Sequence, residues 1–248
     1  MEKPIEALTS ILRCPRCKQG SLFLQGKHLK CNLCGHIYPM LKGIPDLRFG
    51  TYGYKPTLWR MFYDIYAPFY DFLEHKLAIK AGFSEELLRI NIAKAMNLID
   101  GNFVLEVCTG TCRNLALFTS IAKGVYVGID SSFKMLSKCT ANLASISNAN
   151  VMLPLAYAEN LPFKNNVFDR VLIGGCLGHI SLKRKALFEA YRVLESGGLL
   201  VVYDQITFID RLTNKVIRDL MLKPRRLKLT DFNHLFGGHI YIAKFIKL

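Results

Sequence analysis

One stretch constrains the chain more than any other. Phe103-Val-Leu-Glu-Val107 is a short apolar run, Cys108-Thr-Gly-Thr-Cys112 a turn of small residues, and Gly124-Val-Tyr-Val-Gly-Ile-Asp130 a second apolar run ending in an acid. A buried strand that feeds a tight turn into a helix, followed by a strand that delivers a carboxylate beside that turn, is an arrangement that holds the nucleoside part of a cofactor. Around it, short apolar runs alternate with helical periodicity. The pattern predicts strand 103–107, helix 112–122, strand 124–130, helix 132–146, strands 150–155 and 168–174, helix 181–194 and strand 198–204. Such alternation specifies an α/β fold with a doubly wound, mostly parallel sheet. Ahead of it, Ser84-Glu-Glu starts a helix, with Ser as N-cap and the acids at the positive end of the helix dipole.

The cysteines divide into two sets. Cys14, Cys17, Cys31 and Cys34 form two C-x-x-C knuckles thirteen residues apart, whereas Cys108, Cys112, Cys139 and Cys176 are scattered through apolar segments. Paired knuckles aim four thiolates at one ion, so the first set reads as a closed, structural zinc ribbon, with disulfides or free thiols as the alternative. The second set reads as small core or site residues, so no disulfide framework is expected, and a reducing compartment is. His36 reads as a turn residue, and the prolines of Tyr38–Asp46 make that stretch an extended connector. The expected division is thus 1–50, ribbon and connector, and 51–248, the sheet domain.

The chain has 248 residues, 51% of them hydrophobic, enough to fill one core with a small appendage. It has no charge-free apolar run of about 18 residues and no apolar leader after Met1, which predicts a cytoplasmic protein without a transmembrane segment. The net charge of +14 sits at the ends: residues 1–50 carry 8 basic and 3 acidic groups, and residues 205–248 carry 9 and 3. The cluster Lys223, Arg225, Arg226 and Lys228 suits RNA phosphates, peripheral contact with an anionic membrane, or plain solvent.

Five motifs in order resemble the class I S-adenosylmethionine-dependent methyltransferases, closest to the branch of the ubiquinone and menaquinone C-methyltransferases. They are Val104-Leu-Glu-Val-Cys-Thr-Gly-Thr-Cys-Arg-Asn114, Gly128-Ile-Asp-Ser-Ser-Phe-Lys-Met-Leu136, Ala158-Glu-Asn-Leu-Pro-Phe163, Asn166-Val-Phe-Asp169 and Arg192-Val-Leu-Glu-Ser-Gly-Gly198. The resemblance covers roughly residues 57–204 and implies a Rossmann-like fold that binds S-adenosyl-L-methionine. It implies that Glu106 engages the cofactor's amino group, that Cys108, Thr109, Gly110 and Asn114 surround its methionine part, and that Asp130 holds the ribose diol. Ser131 and Met135 flank the adenosine, Ala158 and Glu159 run along the adenine edge, and Cys176 packs near the sulfonium. Tyr63-Asp-Ile-Tyr-Ala-Pro-Phe-Tyr-Asp71 is similar to the segment covering cofactor and acceptor, which makes Tyr63 and Tyr70 lid candidates beside His179 as a candidate base.

The departures matter as much. Cys108-x-Gly110-x-Cys112 stands where the family has three glycines, and Tyr157 replaces an acid. Cys108 must therefore tolerate a backbone conformation that glycine served. Beyond Asp204, residues 210–222 suit a helix, Phe232–Leu248 a closing hairpin, and the basic segment 223–228 shortens the sixth strand. The expected function is methyl transfer to a small apolar or aromatic acceptor. Two alternatives stand beside it: an RNA base methyltransferase that docks RNA through ribbon and basic C-terminal region, and a non-catalytic methyltransferase-like scaffold.

Overall fold

The two cysteine knuckles flank a small antiparallel sheet. In a computed structural model of the chain, which describes residues 8–50, 61, 64–80, 82–144 and 150–248, strands β1 (Leu22–Gln25), β2 (His28–Cys31), β3 (Ile37–Leu41) and β4 (Ile44–Pro45) follow one another in space as in sequence. Pro39 and Pro45 lie within the extended connector, as their fixed φ demands.

The main sheet is built from β5 (Phe103–Val107), β6 (Val125–Ile129), β7 (Val151–Met152), β8 (Phe168–Gly174), β9 (Leu194–Gln205), β10 (Leu227–Leu235) and β11 (Ile240–Lys247), in the order β10-β11-β9-β8-β5-β6-β7. All contacts from β9 to β7 are parallel, and β11 is antiparallel to both its neighbours. Strands buried on both faces need cover on both. On one face Leu105 and Val107 join a cluster containing Ala186, Leu187 and Val193; on the other Val104 joins Ile92, Met96, Leu115 and Phe118. These come from helices α2 (Glu85–Met96), α3 (Arg113–Ile121) and α5 (Lys183–Val193); α1 (Tyr70–Lys80) precedes them and α4 (Phe133–Leu143) lies between α3 and α5 in sequence. Ser84 caps α2, its Oγ accepting from the Leu87 N–H. Among the described residues no helix is long and apolar enough to cross a membrane.

Three expectations are corrected. The strand expected over 150–155 keeps only two ladder residues, because Leu155 bridges Asp130 on one side and Asp46 on the other. The 210–222 helix is two short ones, α6 (Phe208–Leu212) and α7 (Lys215–Leu220), interrupted at Asn214 with φ +49°. The sixth strand, β10, is nine residues long and starts within the basic segment rather than being shortened by it.

The ribbon and the sheet share one apolar cluster, in which Leu12, Leu29, Tyr38 and Leu47 pack with Leu161, Phe163 and Phe168. Backbone bonds hold the segment 155–164 from two sides. Leu155 N–H donates to Pro45 O and Leu47 N–H to Leu155 O, while Arg13 N–H donates to Pro162 O and Lys164 N–H to Ile11 O, all at 2.9 Å. Buried Asn160 spans both sides, its Nδ2 donating to Pro15 O at 3.0 Å and to Phe49 O at 3.2 Å. Asn160→Ala strips both carbonyls of their donor, with an expected loss of about 1–3 kcal/mol. Urea unfolding should show it as one transition shifted for ribbon and sheet signals alike.

Candidate functional site

The turn after β5 is fastened to the end of β6. Thr109 N–H donates to Ile129 O at 2.9 Å, and Gly110 N–H to Asp130 Oδ2 at 3.1 Å. Gly110 has φ +56°, and a Cβ there would meet only open space, so it is the backbone conformation that asks for glycine. Gly128 on β6 is required by space: a Cβ would lie 2.7 Å from Leu115 Cδ1 and 2.9 Å from Thr109 Cγ2. Cys108 and Cys112 both adopt the left-handed conformation, at φ +60° and +63°. Contrary to the expectation of no disulfides, Cys108 is bonded to Cys176 and Cys112 to Cys139, with Cα separations of 6.4 and 5.0 Å. The partners lie 68 and 27 residues apart, a proximity that only the sheet order creates.

Two carboxylates flank this turn, Glu106 buried and Asp130 half-buried. Glu106 accepts from Thr109 Oγ1 at 2.6 Å and from Asn114 Nδ2 at 2.7 Å. Burial pushes its carboxyl up to about 7, more than these bonds and the Arg89 charge pull it down. Asp130 accepts from the Ser132 and Gly110 N–H groups, yet burial raises it to about 6. Tyr203, whose hydroxyl accepts from Asn114 Nδ2 at 3.2 Å, is raised to about 12, chiefly by burial and next by the Glu106 charge.

Both acids open onto a cavity of about 720 Å³, within the usual range for small-ligand sites. Glu106, Cys108, Thr109, Gly110 and Asn114 form one wall; Asp130, Ser131 and Met135 a second; Ala158 and Glu159 a third. Cys176, His179 and Tyr70 line the rest, so the structure brings these sequence candidates around a single space. Tyr63 lies outside the described residues. His179 is exposed and close enough to the half-buried Asp204 to pull its carboxyl down, although desolvation leaves Asp204 raised.

Several residues at or beside the cavity have no motif to mark them in the sequence. Arg89 on α2 lines the cavity, donating to Asn114 Oδ1 and Glu85 Oε2 at 3.1 Å each, while its buried Nε lacks a hydrogen-bond partner among the described residues. Its spacing of four from Glu85 on a helix was the only signal. In the Tyr-Asp repeat, Asp71 Oδ1 accepts from Thr111 Oγ1 at 2.7 Å and Asp64 Oδ1 from Ser132 Oγ at 2.5 Å, fastening this segment to the turn after β5 and to the N-cap of α4. Arg48 of the ribbon connector is held by Asp46 and donates to Ser131 O at 2.9 Å.

In the ribbon, the Sγ atoms of Cys14, Cys17, Cys31 and Cys34 all lie within 4.8 Å of one another. The Cys14–Cys34 and Cys17–Cys31 sulfurs are 3.7 Å apart, close to the roughly 3.8 Å edge of a tetrahedron with metal–sulfur bonds of about 2.3 Å. N–H groups of Gln19 and Gly20 draw the Cys17 thiol down to about 6, while burial pushes Cys14 up to about 12. A divalent cation would supply the charge that burial withholds. His36 makes edge contacts with Tyr38 and Phe49.

Comparison with known proteins follows the same lines. The sequence model of the ubiE/COQ5 methyltransferase family matches residues 58–217. A demethylmenaquinone methyltransferase of Staphylococcus epidermidis is 37% identical over 115 residues, 46% of this chain and 47% of that one, so the chain spans about half the length of the curated relatives of this kind. The ubiquinone/menaquinone biosynthesis C-methyltransferase UbiE of Geobacter sulfurreducens is 31% identical over 186 residues, 73% of this chain and 70% of that one. Among solved structures, a SAM-dependent methyltransferase from Aquifex aeolicus superposes with a TM-score of 0.55 at 17% identity, over 64% of this chain and 89% of that one. The [4+2]-cyclase SpnF gives 0.61 at 16%, over 75% and 94%. At such identities the likeness shows the fold alone.

The raised Glu106 has a stability consequence with a definite sign. An acid whose folded value lies above its unfolded value favours the folded state when protonated, so its cost is absent below about 4.5, the ordinary value, and complete above about 7. Glu106→Gln, its amide nitrogen turned toward Thr109, should be more stable than the parent by about 3 kcal/mol at pH 8, the gap closing below pH 4.5. Denaturant midpoints of the two proteins across this range measure it.

Proposed function

The chain belongs to the ubiE/COQ5 methyltransferase family, and from that premise we propose that it transfers a methyl group from S-adenosyl-L-methionine to a small, apolar or aromatic acceptor of the quinol type. The observation that carries this reading is the pair of raised carboxyls, buried Glu106 and half-buried Asp130, on adjoining walls of one cavity and joined by the Gly110 turn. The residues fit the cofactor. Glu106 takes its hydrogen bonds from neutral donors only, which leaves its charge for an ammonium group. Asp130 offers carboxylate oxygen to a diol, and Gly110 leaves room for close approach. Arg89, its Nε unpartnered among the described residues, suits the cofactor's carboxylate.

When bound, the cofactor supplies an electrophilic methyl group on a sulfonium. The protein's own share is alignment and exclusion of water. Asp64 and Asp71 hold the covering segment down, which places Tyr70 on the cavity wall. His179, beside Asp204, receives a proton from an acceptor hydroxyl. The relatives include a demethylmenaquinone methyltransferase and a ubiquinone/menaquinone biosynthesis C-methyltransferase; an electron-rich aromatic ring with an ionisable hydroxyl is the chemistry this site suits. The four ribbon cysteines hold structural zinc, and the ribbon and connector brace from behind the segment that carries Ala158 and Glu159.

Calorimetry with S-adenosylhomocysteine tests the reading. Binding is expected, and Asp130→Ala should weaken it by about 2–3 kcal/mol; an unaltered affinity would remove the carboxylate from its role. Stripping zinc with a chelator should weaken the same binding and speed amide exchange over 155–164. Full affinity in metal-free protein would count against the ribbon as part of the site.

A further inference from the structure

The second cysteine set forms two bridges, one at each end of the turn after β5. Cys108–Cys176 ties the first residue of the cofactor turn to the turn that follows β8, and both cysteines line the cavity. Cys112–Cys139 ties the last residue of the same turn to α4, and both its cysteines are 0% exposed. The two bridges therefore differ in reach. Cys176 is 8% exposed and Cys108 half-buried, so a small thiol that fits the cavity meets the first bridge; nothing short of unfolding admits it to the second. Both bridges also hold a non-glycine residue in the left-handed conformation, where a side chain is strained and needs an anchor.

We propose that Cys108–Cys176 is a reversible thiol–disulfide switch on the wall of the cofactor cavity, while Cys112–Cys139 is a permanent staple behind it. The exchange balances with a dithiol reductant such as dithiothreitol. One thiolate attacks a sulfur of the bridge, the sulfur–sulfur bond breaks, and its electron pair leaves on the other cysteine, which takes up a proton. The second thiol of the reductant then closes on the first, expelling the remaining cysteine, so two electrons and two protons pass to the protein and a cyclic disulfide departs.

Opening the bridge frees Cys108 to leave φ +60°, and the Gly110 N–H two residues on loses its fixed aim at Asp130. The reduced protein binds the nucleoside cofactor more weakly. By reciprocity, bound cofactor makes the bridge harder to reduce at equilibrium, and by filling the cavity it shields the bridge from a thiol and slows its reduction. This rests on the reading of the cavity as the S-adenosylmethionine site.

The test uses the full chain, oxidised, then treated with dithiothreitol for increasing times, alkylated and mapped by peptide mass spectrometry. Cys108 and Cys176 should become alkylated at least tenfold faster than Cys112 and Cys139, and S-adenosylhomocysteine should slow the faster pair at least tenfold. With only that bridge open, calorimetry should give an affinity at least fivefold weaker. In a Cys108→Gly, Cys176→Ser protein, glycine takes the left-handed conformation unaided, so affinity should no longer respond to reductant. Four cysteines that open together, an oxidised protein in which Cys108 and Cys176 are free thiols, or equal affinities in the two states would each overturn the switch. If S-adenosylhomocysteine binds neither state, the cofactor reading fails, and the order of alkylation in its absence still decides whether the bridge is exchangeable.

Discussion

The arrangement depends on one short fastening: the N–H groups of Thr109 and Gly110 donate to Ile129 O and the Asp130 carboxylate. This fixes the turn after the first sheet-domain strand against the end of its neighbour. It also brings two acids, buried Glu106 and half-buried Asp130, onto adjoining walls of one cavity, where desolvation makes each costly to charge. A protein retains such groups where something else bears their charge in the working state. The turn tolerates this because its position is overdetermined, by hydrogen bonds to β6, by Asp71 on Thr111, and by a covalent bond at either end.

A second dependence runs through the ribbon. Fifty N-terminal residues contribute Leu12, Tyr38 and Leu47 to the core beneath the sheet and set Arg48 on the carbonyl of Ser131. The geometry of the four-cysteine cluster and the shape of the wall that carries Ala158 and Glu159 are consequently one problem. Arg192 closes the same region from the sheet side, donating to the carbonyls of Leu161 and Phe163, while its partner Glu189 accepts from the Leu161 N–H. The Arg-Val-Leu motif thus owes its place to a backbone segment rather than to chemistry.

The strands 103–107 and 168–174 were legible to the residue, since both are uninterrupted apolar runs bounded by turns, and the four metal-type cysteines announced themselves by spacing. The candidates around the cavity came with the family's motifs. What stayed hidden depends on tertiary contact. Nothing local to Cys108 points to Cys176, and Arg89 reads as an ordinary helix surface residue until α2 is laid over Asn114. The early end of β7 was equally invisible, because the ladder continues through Leu155 to a strand from the other end of the chain. The aromatic repeat drew attention to its tyrosines, although its acids make the bonds.

The contact between ribbon and segment 155–164 orders events in time as well as in space. Asn160 joins carbonyls 145 and 111 residues upstream, so during synthesis the ribbon emerges long before its partner exists. A metal can close the small sheet at once, but Leu155 must arrive before the connector has anything to pair with and before the open edge of the large sheet is covered. The ribbon thus waits for its partner, and segment 155–164 settles only against a surface that the chain made first.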